Sequence, residues 1–452
     1  MPQNLSPVDA AWLRMEDPTN LMMVTGLLVF DQQVDARRLR TTLERRLLPL
    51  ERFRQRVHES ALGILPPRWD EDENFDLDAH LHRIALPAPG DQAALQALVG
   101  DLMSTPLDMS KPLWQIHLVE GLAGGGSALL VRIHHCIADG IALVRVLLSL
   151  TDPTARAGRA AAAPLGTTSV PQPGFRLPVA EVAAILMDPL RAMELAQTGI
   201  SGAASLQRLV TLEPDPPTVL KGRLGVTKRA AWSSNLPLQA IKEASGRAGC
   251  TINDLLVATV SGALRRYLLE RGEDVIGLEI RAAVPVNLRP LDGPIELGNQ
   301  FGLVFLPLPI GLEEPGDRLA EIKRRMDDIK GTPEALVAFG VLNALGLVPT
   351  RLHGNLVEFF GAKATAVLTN VPGPREPLYL AGRRVTNIMF WVPQSGRLGL
   401  GISILSYAGS VMVGIAADAG LIPDPERLIA EFETELAAAI RPPARRRAPT
   451  LR

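Results

Sequence analysis

The sequence predicts an α/β protein of two domains, each with its own hydrophobic core. The chain has 452 residues, and two units of about 150–250 residues suit this length better than a single core does. The first third alternates apolar strand-like runs with amphipathic helix-like stretches. Between residues 152 and 178 the composition changes to Ala, Gly, Pro, Thr and Arg without hydrophobic periodicity, which indicates a linker. We therefore expect domains at 1–151 and 179–440, the linker at 152–178, and a basic disordered tail at 441–452.

In the N-terminal domain, strands are expected where apolar residues form short runs, and helices where they recur every three or four positions. The expected strands cover residues 21–30 and 128–133, and the expected helices cover 36–48 and 92–103. A further amphipathic stretch at 141–150 follows the second strand after a short loop. Strand, tight loop and helix therefore follow one another near residue 135.

The C-terminal domain is expected to begin with a helical stretch at residues 179–212, followed by helices at 237–249 and 253–272. Five β-type apolar runs come later in the chain, at 278–286, 300–308, 364–370, 399–407 and 411–417. This order leaves open two similar α/β halves.

Charge and hydropathy exclude some classes of partner. Lysine plus arginine nearly balance aspartate plus glutamate, 47 against 48, so nucleic acid is not an expected partner. The longest apolar runs, at residues 302–310 and 399–405, are far shorter than the ~18–20 residues that a membrane-spanning helix needs. Charged residues between Asp9 and Asp17 stand where a secretory signal would need an apolar core. We therefore expect a soluble or peripheral protein of the cytoplasm.

The two cysteines, Cys136 and Cys250, lie in separate segments without metal-type pairing. This spacing predicts neither a disulfide framework nor a zinc site made of cysteines.

The chemistry is expected in residues 134–140, HHCIADG, where a β-type run ends and a helix-like stretch begins. Successive strand side chains point to opposite faces, so one of His134 and His135 is expected to face a cleft while the other packs inward. A neutral imidazole near its ordinary pKa can take a proton from an alcohol and so promote its attack on a thioester carbonyl. Asp139, beside Gly140, is better placed to brace the loop through an arginine or backbone amides than to touch substrate.

Two other interpretations of the paired histidines are a buried, hydrogen-bonded pair and, with the nearby aspartate, part of a metal site. The metal is less favoured, because one strand end and its loop rarely supply a full ligand set and no other His-rich segment lies nearby. A serine nucleophile is also disfavoured, since Ser201-Gly202 and Ser395-Gly396 lack the Gly-x-Ser-x-Gly arrangement.

Residues 134–140 resemble the HHxxxDG motif of the chloramphenicol acetyltransferase-like superfamily, which includes condensation domains and bacterial lipid acyltransferases. Other segments narrow the resemblance to the bacterial wax ester synthase/diacylglycerol acyltransferase family, and the likeness covers nearly the whole chain. These segments are LSPVDAAWLRMEDPTNLMMVTGLLVFD, PLDMSKPLWQIHLVEGL, INDLLVATVSGALRRYL, PVNLR, GNQFG, TNVPGP and LYLAG. The resemblance implies two chloramphenicol acetyltransferase-like domains, with mixed sheets flanked by helices and an active-site tunnel at the domain interface.

The resemblance also implies site residues. His135 would be the general base, His134 would support it, and Asp139 and Gly140 would match the pair that braces the loop. Asn253-Asp254 matches the Asn-Asp dipeptide of the family at a helix start, although an Asn or Asp there can equally be a helix N-cap.

Three further residues are candidates for supporting roles in the site. The first candidate for an arginine beside Asp139 is Arg289 in PVNLR, and the second is Arg54. Asn370 could donate a hydrogen bond to a developing oxyanion, although a turn-forming role is favoured.

The activity implied is an acyl-CoA-dependent O-acyltransferase that moves a long-chain fatty acyl group to diacylglycerol, to a long-chain alcohol, or to both. No covalent acyl-enzyme, metal or cofactor is expected, because acyl-CoA is a substrate. Contact with a membrane or lipid-body surface would be peripheral, through residues 179–212 or the arginines at 445–447, although packing between domains is favoured for the former. The alternatives are a condensation-type acyltransferase with another acceptor and a non-catalytic lipid-body-binding homologue.

Overall fold

The computed structural model describes residues 3–59, 66–156, 203–289, 297–330, 332–347, 350–394, 396 and 398–441, with the backbone alone at 203, 204, 350–353, 355 and 356. The expected linker is described only at 152–156, and the expected helical stretch 179–212 only from 203. Most of the expected basic tail, with its arginines at 445–447, lies outside the described residues.

Each of the seven predicted apolar runs forms a strand, and the structure describes nine further strands that were not predicted. In chain order they are β1 Gln3–Asn4, β2 Met23–Phe30, β3 Gln55–His58, β4 Arg68–Glu71, β5 Leu81–Ala85, β6 Trp114–Glu120, β7 Ser127–His134, β8 Lys228–Trp232, β9 Leu236–Pro237, β10 Ile280–Asn287, β11 Phe301–Leu308, β12 Ala366–Pro372, β13 Tyr379–Leu380, β14 Arg383–Trp391, β15 Leu400–Tyr407 and β16 Ser410–Asp418.

Several of the described helices follow a residue whose side chain satisfies a free N–H group of the first turn. Asp35, Asp91, Asp139 and Thr251 each accept a hydrogen bond from the first turn of the helix that follows. The described α-helices are α1 Pro7–Arg14, α2 Ala36–Arg46, α3 Gln92–Met103, α4 Gly140–Ser149, α5 Ala203–Thr211, α6 Leu238–Ala248, α7 Ile252–Glu270, α8 Pro315–Lys330, α9 Glu334–Leu345, α10 Thr350–Gly361 and α11 Pro425–Ile440.

The described strands form mixed sheets, as expected. One sheet has the order β13-β14-β2-β7-β6-β5, with β5 and β6 parallel and the other pairs antiparallel. A second has the order β11-β10-β12-β15-β16-β8, in which β12 is parallel to both β10 and β15. The short strands β1, β4 and β3 form a third sheet.

Strand β14 joins the sheet of the N-terminal half although it lies late in the sequence. It pairs antiparallel with β2, and Trp391 is opposite Thr25. The face of β14 that carries Met389 packs closely on β16, and a Cβ on Gly414 would lie 2.4 Å from Sδ of Met389. Glycine is therefore needed at 414 for this approach. The division of the sequence into 1–151 and 179–440 does not anticipate that a strand crosses between the two halves.

Two large apolar cores and a third cluster hold the chain together. One core packs α1, α2 and α4 on the first sheet and continues into α5 and α9 of the C-terminal half, and another packs α7 and α11 on the second sheet. The third cluster includes Leu27, Met103, Trp232, Met389 and Trp391. Among the described helices, we find none with both the length and the apolarity needed to cross a bilayer.

Candidate active site

The loop that carries the paired histidines connects β7 to α4. His134 is the last residue of β7, and Asp139 is the N-cap of α4. Residue Gly298 pairs with this loop from the other half of the chain, donating from its N–H to the Ile137 carbonyl at 2.9 Å and accepting from the N–H of Asp139 at 3.3 Å. The loop is thus held on both sides by backbone hydrogen bonds.

His134 packs inward and is fully buried. Its Nδ1 accepts from the Cys136 N–H at 3.1 Å, so in the neutral ring Nε2 carries the proton that is donated to Oε2 of Glu16, also at 3.1 Å. Burial would raise the pKa of Glu16, but the hydrogen bond and charge of His134 outweigh it, and the pKa is lowered. His134 therefore holds the loop and does not face the cleft.

His135 is also buried, with 3% of its surface exposed, yet its side chain lies on the wall of a cleft. The Trp12 ring stacks on the imidazole at 4.1 Å between centroids, and Phe301 lies 5.6 Å away. The N–H of His135 donates to the Met22 carbonyl at 2.7 Å, and its carbonyl accepts from Nδ2 of Asn299 at 2.8 Å. Both the ring and the peptide group are thereby fixed.

The environment of the His135 ring makes it less basic than the sequence predicts. Burial lowers its pKa to about 3, the charge of His134 adds to this, and the backbone of His135 and the Asn299 side chain oppose it. The expectation of a base near its ordinary pKa was therefore wrong. The ring remains neutral throughout the physiological range of pH.

Asp139 is satisfied by groups of the protein itself. Its Oδ1 accepts from the Ala142 N–H at 2.9 Å and its Oδ2 accepts from the Gln300 N–H at 3.0 Å. Arg289 forms a buried ion pair with it, with Nη1 3.1 Å from Oδ2. Arg54, the second candidate for this partner, pairs with Glu71 instead. Asp139 thus caps α4 and connects the loop to the end of β10.

The remaining predicted site residues divide between the cleft and the start of α7. Gly140 and Asn370 line the cleft, and Nδ2 of Asn370 donates to Oδ1 of Asn253 at 2.7 Å. Asn370 lies within β12, so the favoured turn-forming role was wrong. Thr251, and neither Asn253 nor Asp254, is the N-cap of α7, and Asp254 completes its capping box from inside the helix.

The cleft is open to solvent and mostly apolar. It lies between the loop after β7, the strands β10, β11 and β12, and the residues around the end of β14. Its lining residues are Trp12, His135, Asp139, Gly140, Ile141, Pro285, Asn287, Phe301, Leu303, Val367, Thr369, Asn370, Val371, Phe390, Val392 and Pro393.

A second, almost wholly apolar cavity adjoins this cleft, and Trp12 and Leu303 border both. Its other walls include Ala338, Val341 and Leu342 of α9. An alkyl chain that passed Trp12 would therefore meet only apolar side chains.

Four residues around the paired histidines were missed by sequence reasoning: Asp9, Trp12, Glu16 and Asn299. They fall in two of the segments that carry the family resemblance, LSPVDAAWLRMEDP and GNQFG, but neither segment shows which side chains touch the histidines. The sequence held one signal, because Asp9 interrupts the apolar run of α1. In the structure Asp9 is buried. A charged residue at a buried helical position usually has a partner.

In the part of the chain that the structure describes, no group of three or more His, Cys, Asp and Glu side chains is arranged to hold a metal ion.

Comparison with protein families gives two matches that together span most of the chain. Residues 5–256 match the wax ester synthase/diacylglycerol acyltransferase catalytic domain, and residues 297–439 match the C-terminal domain of the same family. A putative diacylglycerol O-acyltransferase of Mycobacterium bovis is 31% identical, over 97% of this chain and 96% of its own. A probable diacylglycerol O-acyltransferase of Mycobacterium tuberculosis has the same identity and coverage.

Solved structures show the same fold. The wax ester synthase/diacylglycerol acyltransferase from Marinobacter aquaeolei VT8 superposes with a TM-score of 0.71 at 24% identity, covering 97% of this chain and 98% of that one. A starter condensation domain of rhizomide synthetase, solved in complex with C8-CoA, gives a TM-score of 0.58 at 14% identity, covering 97% and 94%. The likeness to condensation domains confirms the predicted fold class.

Proposed function

Because this chain belongs to the wax ester synthase/diacylglycerol acyltransferase family, we propose that it transfers a long-chain acyl group from coenzyme A to diacylglycerol, to a long-chain alcohol, or to both. The observation that carries the proposal is the placement of His135, whose neutral ring lies on the wall of an apolar cleft. The curated relatives named as diacylglycerol O-acyltransferases support it over nearly the full chain.

In the proposed reaction, His135 takes the hydroxyl proton of the acceptor while the oxygen forms a bond to the thioester carbonyl carbon. The tetrahedral intermediate then collapses, the carbon–sulfur bond breaks, and the thiolate of coenzyme A receives the proton from the imidazolium. At no stage is the acyl group covalently attached to the protein. The reaction needs no cofactor or metal, because both reacting groups arrive with the substrates.

A base with a pKa near 3 is weak towards a free alcohol, but it is never blocked by a proton of its own at neutral pH. In the transition state a negative charge develops on the thioester oxygen, next to the ring, and this charge favours the protonated imidazole. The proton transfer is then concerted with attack, and general-base catalysis of this kind typically contributes ~10²–10⁴-fold to the rate.

The apolar cavity behind Trp12 suits an alkyl chain of one of the substrates. Each buried methylene contributes about 0.8 kcal/mol, so a long chain gains several kcal/mol of binding energy over a short one. The walls contributed by Ala338, Val341 and Leu342 offer such a chain no polar partner.

We place the enzyme at a membrane or lipid-droplet surface on the cytoplasmic side, in peripheral contact. Both acceptors partition into such surfaces because they are apolar. The acyl-CoA donor is amphipathic and can reach the cleft from water.

Two functions compete with this one. The first is condensation chemistry with another acceptor, because the rhizomide synthetase domain has the same fold. The second is non-catalytic lipid binding. Transfer to lipid alcohols is favoured over both, because the family match covers residues 5–256 and 297–439 and the base lies on the cleft.

In the test, purified protein is incubated with labelled palmitoyl-CoA, diacylglycerol and hexadecanol, and the lipid products are then separated. We expect labelled triacylglycerol, wax ester or both, and a faster reaction with palmitoyl-CoA than with octanoyl-CoA. The His135→Ala variant serves as the control for non-enzymatic transfer. Release of coenzyme A without either product, or no release at all, would contradict the proposal.

A further inference from the structure

Helix α1 and residues 298–300 pack against the segment that carries His135. Asp9 and Trp12 are three residues apart on α1, so they lie on the same side of the helix. Trp12 stacks on the His135 ring. Asp9 does not touch His135 but contacts Asn299, accepting at Oδ1 from its N–H at 3.0 Å and from its Nδ2 at 2.7 Å.

Asn299 connects Asp9 to the catalytic residue. Its Nδ2 group has two hydrogens, and it donates to Oδ1 of Asp9 and to the carbonyl oxygen of His135 at 2.8 Å. Because both of these partners are acceptors, the amide cannot be turned around without placing oxygen against oxygen twice. The orientation of the Asn299 side chain is therefore set by Asp9 and the His135 carbonyl together.

Two buried polar atoms at this point have no hydrogen-bond partner among the described residues: Oδ1 of Asn299 and Nδ1 of His135. Buried polar groups without partners are rare, and each calls for an explanation. One atom is an acceptor and the other can be a donor, so the two are complementary in hydrogen bonding. The Asn299 side chain and the backbone of His135 both raise the pKa of this histidine, as acceptors beside a protonated Nδ1 would.

We propose that Asp9 and Asn299 are a positioning pair that holds the His135 ring in the tautomer with its proton on Nδ1. In that tautomer Nε2 has a free lone pair to accept the hydroxyl proton of the acceptor, which the opposite tautomer lacks. The inference rests on the proposed function, since it assigns how the proposed base is oriented. Neither residue touches the substrate, and Trp12 restricts the plane of the ring while Asn299 selects the nitrogen.

The test measures kcat and KM for palmitoyl-CoA in purified variants. Asn299→Ala is expected to lower kcat about tenfold, because most of the ring population then has the wrong tautomer, and to leave KM within about threefold. Asp9→Ala should lower kcat by a smaller factor, because the His135 carbonyl alone then holds the Asn299 amide. Asp9→Asn should retain most of the activity, because its carbonyl oxygen can accept the same two hydrogen bonds.

Asp35→Ala is the matched control. Asp35 is exposed and caps α2 by accepting from the Arg38 N–H at 2.9 Å, so its loss weakens a helix without changing the contacts of Asp9 or Asn299. If Asp35→Ala lowered kcat as much as Asn299→Ala at a similar loss of thermal stability, the effect would be structural and the positioning pair would be refuted.

The tautomer can be observed directly in protein labelled with ¹⁵N at its seven histidines. The wild type is expected to show His135 with a protonated Nδ1 and an unprotonated Nε2, and Asn299→Ala is expected to show a mixture. An unchanged tautomer in Asn299→Ala would overturn the inference. These spectra do not depend on turnover, so they decide it even if the wild type released no coenzyme A and the proposed function failed.

Discussion

At the scale of single residues, the two adjacent histidines have opposite roles because their side chains leave the end of β7 in different directions. The sequence predicted this alternation but not the burial, and both rings have at most 3% of their surface exposed. It could not predict the partners either. Glu16 binds His134 across 118 positions of sequence, and Trp12 is still further from His135. Contacts over such separations depend on the tertiary fold, which local patterns do not specify.

The depressed pKa of His135 gives a prediction for the pH dependence of activity. A general base with an ordinary histidine pKa of about 6.5 would cost about 20-fold in kcat/KM between pH 7 and pH 5. Because the pKa of His135 is lowered to about 3, its ring stays neutral across this range. We therefore expect kcat/KM for palmitoyl-CoA to fall less than about threefold from pH 7 to pH 5.

Asp9→Asn is the control for this profile, because burial raises the pKa of Asp9 to about 6 and the residue would otherwise titrate in the same range. If kcat/KM of the Asp9→Asn variant still fell below about pH 6.5, the His135 ring would be more basic than its surroundings imply. Tryptophan fluorescence at each pH must confirm that the protein stays folded. The unfolded chain protonates this histidine at about pH 6.5 and the folded chain does not, so stability declines as the pH falls from there towards 3.

At the scale of elements, the sequence predicted seven of the described strands and the helices α2, α3, α4, α6 and α7. The bounds of α3 agree with the predicted 92–103, and β15 begins one residue after the start of the predicted 399–407. Helices α8 to α11 were not predicted, nor were α1, which has only eight residues, and β14, whose first residues Arg383 and Arg384 conceal its apolar end. Both omitted elements contribute to the cleft, through Trp12 of α1 and Phe390 of β14.

Asp139 holds the catalytic loop to the other half of the chain through Arg289. Asp139→Ala removes the cap of α4 and leaves the buried guanidinium of Arg289, 6% exposed, without its carboxylate. Breaking a buried ion pair in this way typically costs about 3–5 kcal/mol. We expect a loss of this order in the free energy of unfolding measured with urea, together with a lower soluble yield.

The matched control is Lys323→Ala, which removes an exposed pair with Asp327 at 3.0 Å on α8. Such a pair contributes about 0.5 kcal/mol or less, so the control should unfold nearly as the wild type does. If the unfolding free energy of Asp139→Ala lay within about 1 kcal/mol of the wild-type value, the pair with Arg289 would not brace the loop.

At the scale of the whole molecule, the cleft depends on contacts between segments that are far apart in the chain. Residues 298–300 and Arg289 hold the loop after β7, and β14 crosses to the first sheet beside the same cleft. The family resemblance predicted a site between two similar units. It did not predict that a C-terminal strand completes the N-terminal sheet, since strand exchange leaves no local signature in the sequence. The division into domains at 1–151 and 179–440 stays a prediction.

The central claim is that the His135 imidazole, on the wall of the cleft, takes the proton from the acceptor. The most direct test compares the rate of coenzyme A release from palmitoyl-CoA, with acceptor present, between wild type and His135→Ala of matched folded content by circular dichroism. The account predicts a fall of at least about 100-fold, since general-base catalysis typically contributes ~10²–10⁴-fold. A folded His135→Ala variant that retained a rate near that of the wild type would contradict it.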